Sequence, residues 1–236
     1  MVTKYFGFLC NYVLLGFKKT NFYLKNCKTI FTGTPLREQF YKSNPLPEWV
    51  PKGKGPLLIV MGGSQGAKAI IQILYESLDY LMKKQFRIVH IIGECNQKSF
   101  IKNSKNYVQK QFTNQIASLM QNCDLVISRS GAGTINELIQ TRKPSILIPY
   151  PNSKNNHQEK NAMILSSIGG AILINQENLT KVLFEETLKS IFKFKLKKGK
   201  PQYEILDLMK ENMKNINSLE SANKIKKLIN YFLKEF

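Results

Sequence analysis

Histidine is nearly missing from this chain: there are two in 236 residues, His90 and His157, and none lies before Gly33. That leaves little room for histidine-rich metal or acid–base chemistry. The four cysteines, Cys10, Cys27, Cys95 and Cys123, form no C-x-x-C pair and no metal-ligand spacing, so buried free thiols in a reducing compartment are expected. No apolar run reaches the ~18–20 residues of a membrane span; Phe6 to Phe17 is too short and is interrupted by Cys10 and Asn11, which excludes an integral membrane protein. The opening Met1-Val2-Thr3-Lys4 leads into an aromatic stretch without a small-residue cleavage site, so no signal peptide is expected. Neither G-x-x-x-x-G-K-[ST] nor G-x-G-x-x-G occurs, so the ATPase and dinucleotide fingerprints are both absent.

Acidic residues are outnumbered 16 to 35, giving a net charge of +19 and a pI near 9.7. Such a charge suggests nucleic acid until its distribution is read. Residues 1–56, 57–180 and 181–236 carry +7, +6 and +6, so the excess is diffuse, with only Lys193, Lys195, Lys197, Lys198 and Lys200 as a cluster. The charge implies attraction to anionic surfaces in general; the Lys/Asn/Ile bias fits codon composition equally well. With 43% hydrophobic and 22% charged residues, the chain has the means to bury a core.

From Leu57 onward, short strands that are apolar throughout alternate with helical patterns. Strands are expected at Leu57–Met61, Arg87–Ile92, Tyr107–Phe112, Asp124–Ser128, Ser145–Pro149 and Ala171–Ile174. Helices are expected at Ala67–Met82, Thr113–Gln121, Ala132–Thr141 and His157–Ile168. This pattern predicts an α/β fold with a doubly wound parallel sheet over residues ~57–180, closed by C-terminal helices. Residues 41–56, rich in Pro and Gly, read as a linker, and residues 1–40 are too few for a domain. A last helix, about Ser218 to Phe236, places Leu219, Ala222, Ile225, Leu228 or Ile229 and Phe232 on one face; packing and membrane-surface roles both fit.

Ligands of open parallel sheets bind beyond the carboxyl ends of the strands. Two Gly-rich turns fall there. In Gly62-Gly63-Ser64-Gln65-Gly66-Ala67 the glycines allow close approach of an anion to the backbone and the next helix offers free N–H groups; a tight turn with Ser64 as N-cap fits as well. In Arg129-Ser130-Gly131-Ala132-Gly133-Thr134-Ile135-Asn136-Glu137, Thr134 and Glu137 match a capping box, while a ligand reading has Glu137 accept from a ribose diol. His90, mid-strand, reads as a core histidine.

Taken with His157-Gln158-x-x-Asn161-Ala162, these turns in this order and spacing resemble the C-terminal, donor-binding half of the MurG-like family 28 glycosyltransferases. Thr32-Gly33-Thr34-Pro35-Leu36-Arg37 is similar to that family's inter-domain segment. The resemblance runs from about residue 30 to the C-terminus, and the wording of Ile148-Pro149-Tyr150-Pro151 is most like cyanobacterial members, with a plastid-encoded copy as one possible source. It implies one Rossmann-like half of a GT-B fold: residues 1–40 a remnant of an N-terminal domain, 41–56 the linker and 57–236 the UDP-sugar domain. It also implies inverting transfer of N-acetylglucosamine from UDP-GlcNAc to lipid I in peptidoglycan synthesis. By resemblance, Arg37 and Ser64 contact the diphosphate with Gly62, Gly63 and Gly66, and the Thr113 main chain pairs with uracil. Ala132, Gly133 and Thr134 line the donor, Glu137 holds the ribose, and Gln158 and Asn161 face the sugar hydroxyls. No Asp-x-Asp motif occurs, so donor binding without metal or other cofactor is expected.

The family's N-terminal Gly-rich loop ending in histidine is not found, so no catalytic base is assigned; His157 is expected to position substrate. The implied partners are UDP-GlcNAc, a lipid-linked acceptor at a cytoplasmic or stromal membrane face, and a separate N-terminal acceptor-binding chain. The competing readings are a UDP-sugar-binding subunit, a non-catalytic remnant and a basic nucleic-acid-binding module.

Overall fold

The structure is a computed structural model and describes residues 2–63, 67–94, 104–193, 195–197, 200–214, 216 and 221–234. The chain divides into two compact units, Met1–Glu38 with Asn217–Phe236, and Gln39–Ile216. In the first unit, α1 (Val2–Phe6) precedes a two-stranded parallel sheet of β1 (Val13–Leu15) and β2 (Thr29–Phe31).

The second unit is built on a six-stranded parallel sheet. In chain order its elements are β3 (Leu57–Met61), α2 (Lys68–Glu76), α3 (Leu78–Lys83), β4 (Arg87–Ile91), β5 (Tyr107–Lys110), α4 (Ile116–Asn122), β6 (Leu125–Ser128), α5 (Ala132–Thr141), β7 (Ser145–Leu147), α6 (His157–Ser166), β8 (Ala171–Leu173) and α7 (Lys181–Ile191). A hairpin of β9 (Lys195–Lys197) and β10 (Lys200–Gln202), then α8 (Glu204–Asn212), complete it. The sheet order is β5-β4-β3-β6-β7-β8, the doubly wound arrangement expected from the strand pattern.

Every residue of β3, β6 and β7 is buried, as both faces of the sheet are covered. On one face α2 contributes Ile70, Ile73 and Leu74, and α7 contributes Phe184, Leu188 and Ile191. Asp124 accepts a hydrogen bond from the Leu57 N–H at 2.7 Å, which aligns the starts of β3 and β6. His90 is buried as expected. Tyr107 donates to Gln109 at 2.8 Å, so the His90 Nδ1–H, 3.0 Å away, donates to the phenol oxygen; Nε2 has no partner among the described residues.

Several boundaries differ from the sequence reading for identifiable reasons. The helix expected over Ala67–Met82 is split at Ser77, whose dihedrals (φ −100°, ψ 3°) leave the helical region. The one expected from Thr113 starts at Ile116, because Thr113 Oγ1 accepts from the Gln115 N–H and holds the preceding residues in a turn. Pro149 has no N–H to continue the ladder beyond β7. Residues 41–56 are a strap rather than a free tether: Asn44 bonds to Gln121, Trp49 to Gln115, and Arg87 to the carbonyls of Gly55 and Pro51. The last helix, α9 (Ser221–Phe232), belongs to the first unit, where Phe232 stacks on Tyr12 at 4.9 Å. Its inward face carries Ser221, Ile225, Leu228 and Phe232, whereas Ala222 and Ile229 are exposed. Cys123 is buried as expected, but Cys10 is exposed, on a 3₁₀ turn with Phe8 and Leu9 also exposed; Cys95 and Lys198 lie outside the described residues.

Candidate functional site

Strand order reverses between β3 and β6, so their carboxyl ends diverge into connections on opposite faces and leave a crevice. Met61 pairs with Ser128 at the last rung, which sets Gly62-Gly63 beside Arg129-Ser130. The crevice is a cleft of about 500 Å³ lined by both turns, the first residues of α2, Thr134, Tyr150, Gln158 and Gln176.

Gly63 adopts φ +83°, and no atom of the described residues lies within 4 Å of where its Cβ would be, so the glycine serves the left-handed turn. After this turn α2 starts at Lys68; Ser64 and Gly66 lie outside the described residues. The second turn corrects the capping-box reading. Helix α5 begins at Ala132 with Gly131 as N-cap and no side-chain cap, so Thr134 is its third residue and Glu137 stands a turn further on. Ser130-Gly131 leads directly from strand to helix, three residues earlier than the box requires, and the N-cap offers no side chain to the first-turn N–H groups of α5.

The supporting contacts run between loops. Ser130 Oγ donates to the Gln158 carbonyl at 2.7 Å, and Asn161 Nδ2 donates to the Ser130 carbonyl at 3.1 Å. These bonds tie the β6–α5 turn to the start of α6. Gln158 Oε1 accepts from the Tyr150 N–H at 2.9 Å. Arg129 Nη1 donates to the carbonyls of Ile148 (3.0 Å) and Pro149 (2.9 Å), and its Nη2 donates to Gln176 Oε1 at 2.6 Å. Its guanidinium carbon is 5.5 Å from the Tyr150 ring centre, and burial lowers its pKa from the usual arginine value.

Of the residues expected from sequence, Gly62, Gly63, Thr134 and Gln158 line the cleft. Ala132 and Gly133 form the exposed first turn of α5, and Glu137 is half-buried on its second. Asn161 is placed as a tie between loops. Thr113 follows β5, the outermost strand, and is not in the cleft lining; Arg37 is exposed in the first unit. His157 is exposed, its Nδ1 2.7 Å from the Lys154 carbonyl. Sequence reasoning missed Lys68, Arg129, Tyr150 and Gln176 as cleft residues. Arg129 stood inside a recognised turn, and its charge beside a phosphate-type loop was the available signal; Gln176 carried none.

The cleft is suited to an anion. Two helices direct N-termini toward it, Lys68 and Arg129 line it, and no Asp or Glu does among the described residues. Nor do three His, Cys, Asp or Glu side chains group together anywhere among them.

The profile of the glycosyltransferase family 28 C-terminal domain matches residues 57–228. A relative from Prochlorococcus marinus subsp. pastoris, named UDP-N-acetylglucosamine--N-acetylmuramyl-(pentapeptide) pyrophosphoryl-undecaprenol N-acetylglucosamine transferase, is 80% identical over 236 residues, 100% of this chain and 65% of its own length. A relative of the same name from Prochlorococcus marinus strain MIT 9312 is 79% identical over 237 residues, with the same coverage. This chain therefore spans about 65% of the length of these curated relatives. Among solved structures, Acinetobacter baumannii MurG matches with a TM-score of 0.63 at 19% identity, over 91% of this chain and 64% of that one, a likeness of fold. With the profile covering both Gly-rich turns and the whole parallel sheet, the chain belongs to glycosyltransferase family 28 and carries its C-terminal domain.

Proposed function

We propose that the chain is the donor-binding half of an inverting N-acetylglucosaminyltransferase: it binds UDP-GlcNAc in the cleft between β3 and β6 for transfer to a lipid-linked muramyl-pentapeptide acceptor at a membrane surface. The observation that carries this reading is the convergence of two Gly-rich strand–helix turns and their helix N-termini on one cleft that no Asp or Glu lines among the described residues. A diphosphate is the ligand such a cleft recognises. The names of the 79–80% identical relatives supply the sugar and the acceptor class.

In this reading the backbone of Gly62 and Gly63, with Ser64, Gly66 and the start of α2, holds the diphosphate, and Arg37 adds its charge. Ala132, Gly133 and Thr134 line the nucleotide and Glu137 accepts from the ribose hydroxyls. The Thr113 main chain pairs with the base, Gln158 addresses the sugar, and Asn161 keeps Gln158 and Ser130 in register. Inverting transfer requires a base for the acceptor hydroxyl. Neither a carboxylate nor an imidazole lines the cleft among the described residues, which supports assigning that base to the acceptor-binding portion, in the same polypeptide or a separate chain. The lipid-linked acceptor named for the relatives and the +19 charge, which favours an anionic surface, support a peripheral position on the cytoplasmic face of a membrane. The Prochlorococcus relatives favour a cyanobacterial setting over a plastid stroma.

Thermal unfolding with ligand tests the reading against a nucleic-acid module. At one hundred times its dissociation constant, UDP should add about 2.7 kcal/mol, a rise in Tm of roughly 5–10 °C. A rise with oligonucleotide and none with UDP would reverse the assignment.

A further inference from the structure

Two glutamine amides line the cleft, and in both the bonding partner fixes which end faces the ligand. Arg129 is donor-only, so the Gln176 atom 2.6 Å from it must be the carbonyl oxygen. The Tyr150 main chain offers only an N–H to Gln158, so there too the oxygen is taken. Each Nε2 is left without a protein acceptor among the described residues, and each residue borders the cleft. Each amide therefore has unengaged N–H donors for a ligand, while its oxygen is held by the protein.

A hydroxyl group needs both a donor and an acceptor to be fully matched, and an amide N–H supplies only the first. A carbonyl oxygen only accepts and is fully matched. Of the groups on a nucleotide-sugar, the diphosphate is already met by the helix N-termini. With the base given to the Thr113 main chain in this reading, the carbonyl that remains, on the sugar itself, is the acetamido oxygen of an N-acetylhexosamine. A side pocket of about 240 Å³ adjoins the cleft at Tyr150 and Gln176; Pro149 and Pro151 give part of its wall an apolar face for the acetamido methyl, and Glu159 and Glu177 stand in the rest. Arg129 holds this arrangement: one guanidinium bonds the Ile148 and Pro149 carbonyls and Gln176, joining the loops after β6, β7 and β8.

We propose that Gln176 reads the transferred sugar, donating its amide N–H to the acetamido carbonyl, and that Arg129 is the positioning residue that fixes the amide. The proposal rests on the donor-site reading above and deepens it by naming what distinguishes an N-acetylhexosamine from a plain hexose.

Calorimetry of the purified chain with UDP, UDP-GlcNAc and UDP-glucose tests it. The wild type should prefer UDP-GlcNAc to UDP-glucose by about tenfold, the worth of one well-formed hydrogen bond. Gln176→Leu removes the donor without adding charge and should bring that ratio close to one. Gln176→Met, likewise uncharged, should do the same and covers the case in which the leucine variant fails to fold. Arg129→Lys keeps the charge but cannot reach all three acceptors, and should lower the ratio. A wild-type ratio near one, a ratio unchanged in both Gln176 variants, or equal loss of UDP and UDP-GlcNAc would overturn the proposal. Failure of the wild type to bind UDP at all would overturn the donor-site reading, and the proposal with it.

Discussion

Gly63 isolates a backbone effect, because a Cβ there meets no atom of the described residues within 4 Å and only the left-handed dihedral resists it. Gly63→Ala should cost about 1–2 kcal/mol of stability, read from urea unfolding. Glu137 separates two roles that its spacing left open. With Gly131 as the N-cap of α5, Glu137 has no part in the cap, so the stability change on Glu137→Ala, read from urea unfolding, carries no capping loss. Its UDP-GlcNAc affinity should nonetheless fall about tenfold in calorimetry, the loss of a charged acceptor to the ribose. Equal losses in stability and affinity would favour a structural role alone. His90 makes a prediction about pH. Burial lowers its pKa from 6.5 to about 4, so the folded state resists a proton that the unfolded chain accepts. Its contribution is whole above pH 6.5 and declines as pH falls toward 4; by pH 5 about 2 kcal/mol should be lost. His90→Asn, which keeps the donor to Tyr107 but does not titrate, should lack that portion of the decline in denaturant melts at pH 7 and pH 5.

At the scale of elements, three helices of the larger unit end in a Schellman motif, and only one uses glycine. After α6, Gly169 at φ +73° is followed by a Gly170 N–H bonded to the Leu165 carbonyl. The same bonds close α3 through Gln85 (φ +58°) and α5 through Arg142 (φ +47°). Arg142 is exposed, so Arg142→Gly should stabilise the chain by about 0.5–1 kcal/mol, measured by the urea midpoint. The strands were legible because full burial on both faces leaves unbroken apolar runs such as Leu57–Met61, and Ala132–Thr141 was legible from its spaced apolar residues. What could not be read were ends set by tertiary or turn chemistry: the Thr113 turn before α4, the break at Ser77, and the start of α5 two residues ahead of the residue that looked like its cap. The ligand face of the cleft was half legible. Glycines announce a special backbone locally, whereas Gln176 and Tyr150 reach the cleft only because β7 and β8 lie beside β6.

For the whole molecule, the two units differ in how they stand. The parallel sheet of the larger unit has a core covered on both faces. The smaller holds a two-stranded parallel sheet with Tyr5, Phe6, Phe8, Leu9, Phe22 and Tyr23 more than half exposed. The charge of +19, diffuse along the sequence, gains a local meaning at one place, where Lys68, Arg129 and two helix N-termini face a cleft that no Asp or Glu lines among the described residues. The most direct test of that meaning is a calorimetric titration of the purified chain with UDP-GlcNAc in the presence of EDTA. The account predicts binding at one site per chain, competed by UDP and unchanged when Mg²⁺ is restored. No binding in either condition, or binding that appears only with Mg²⁺, would contradict it.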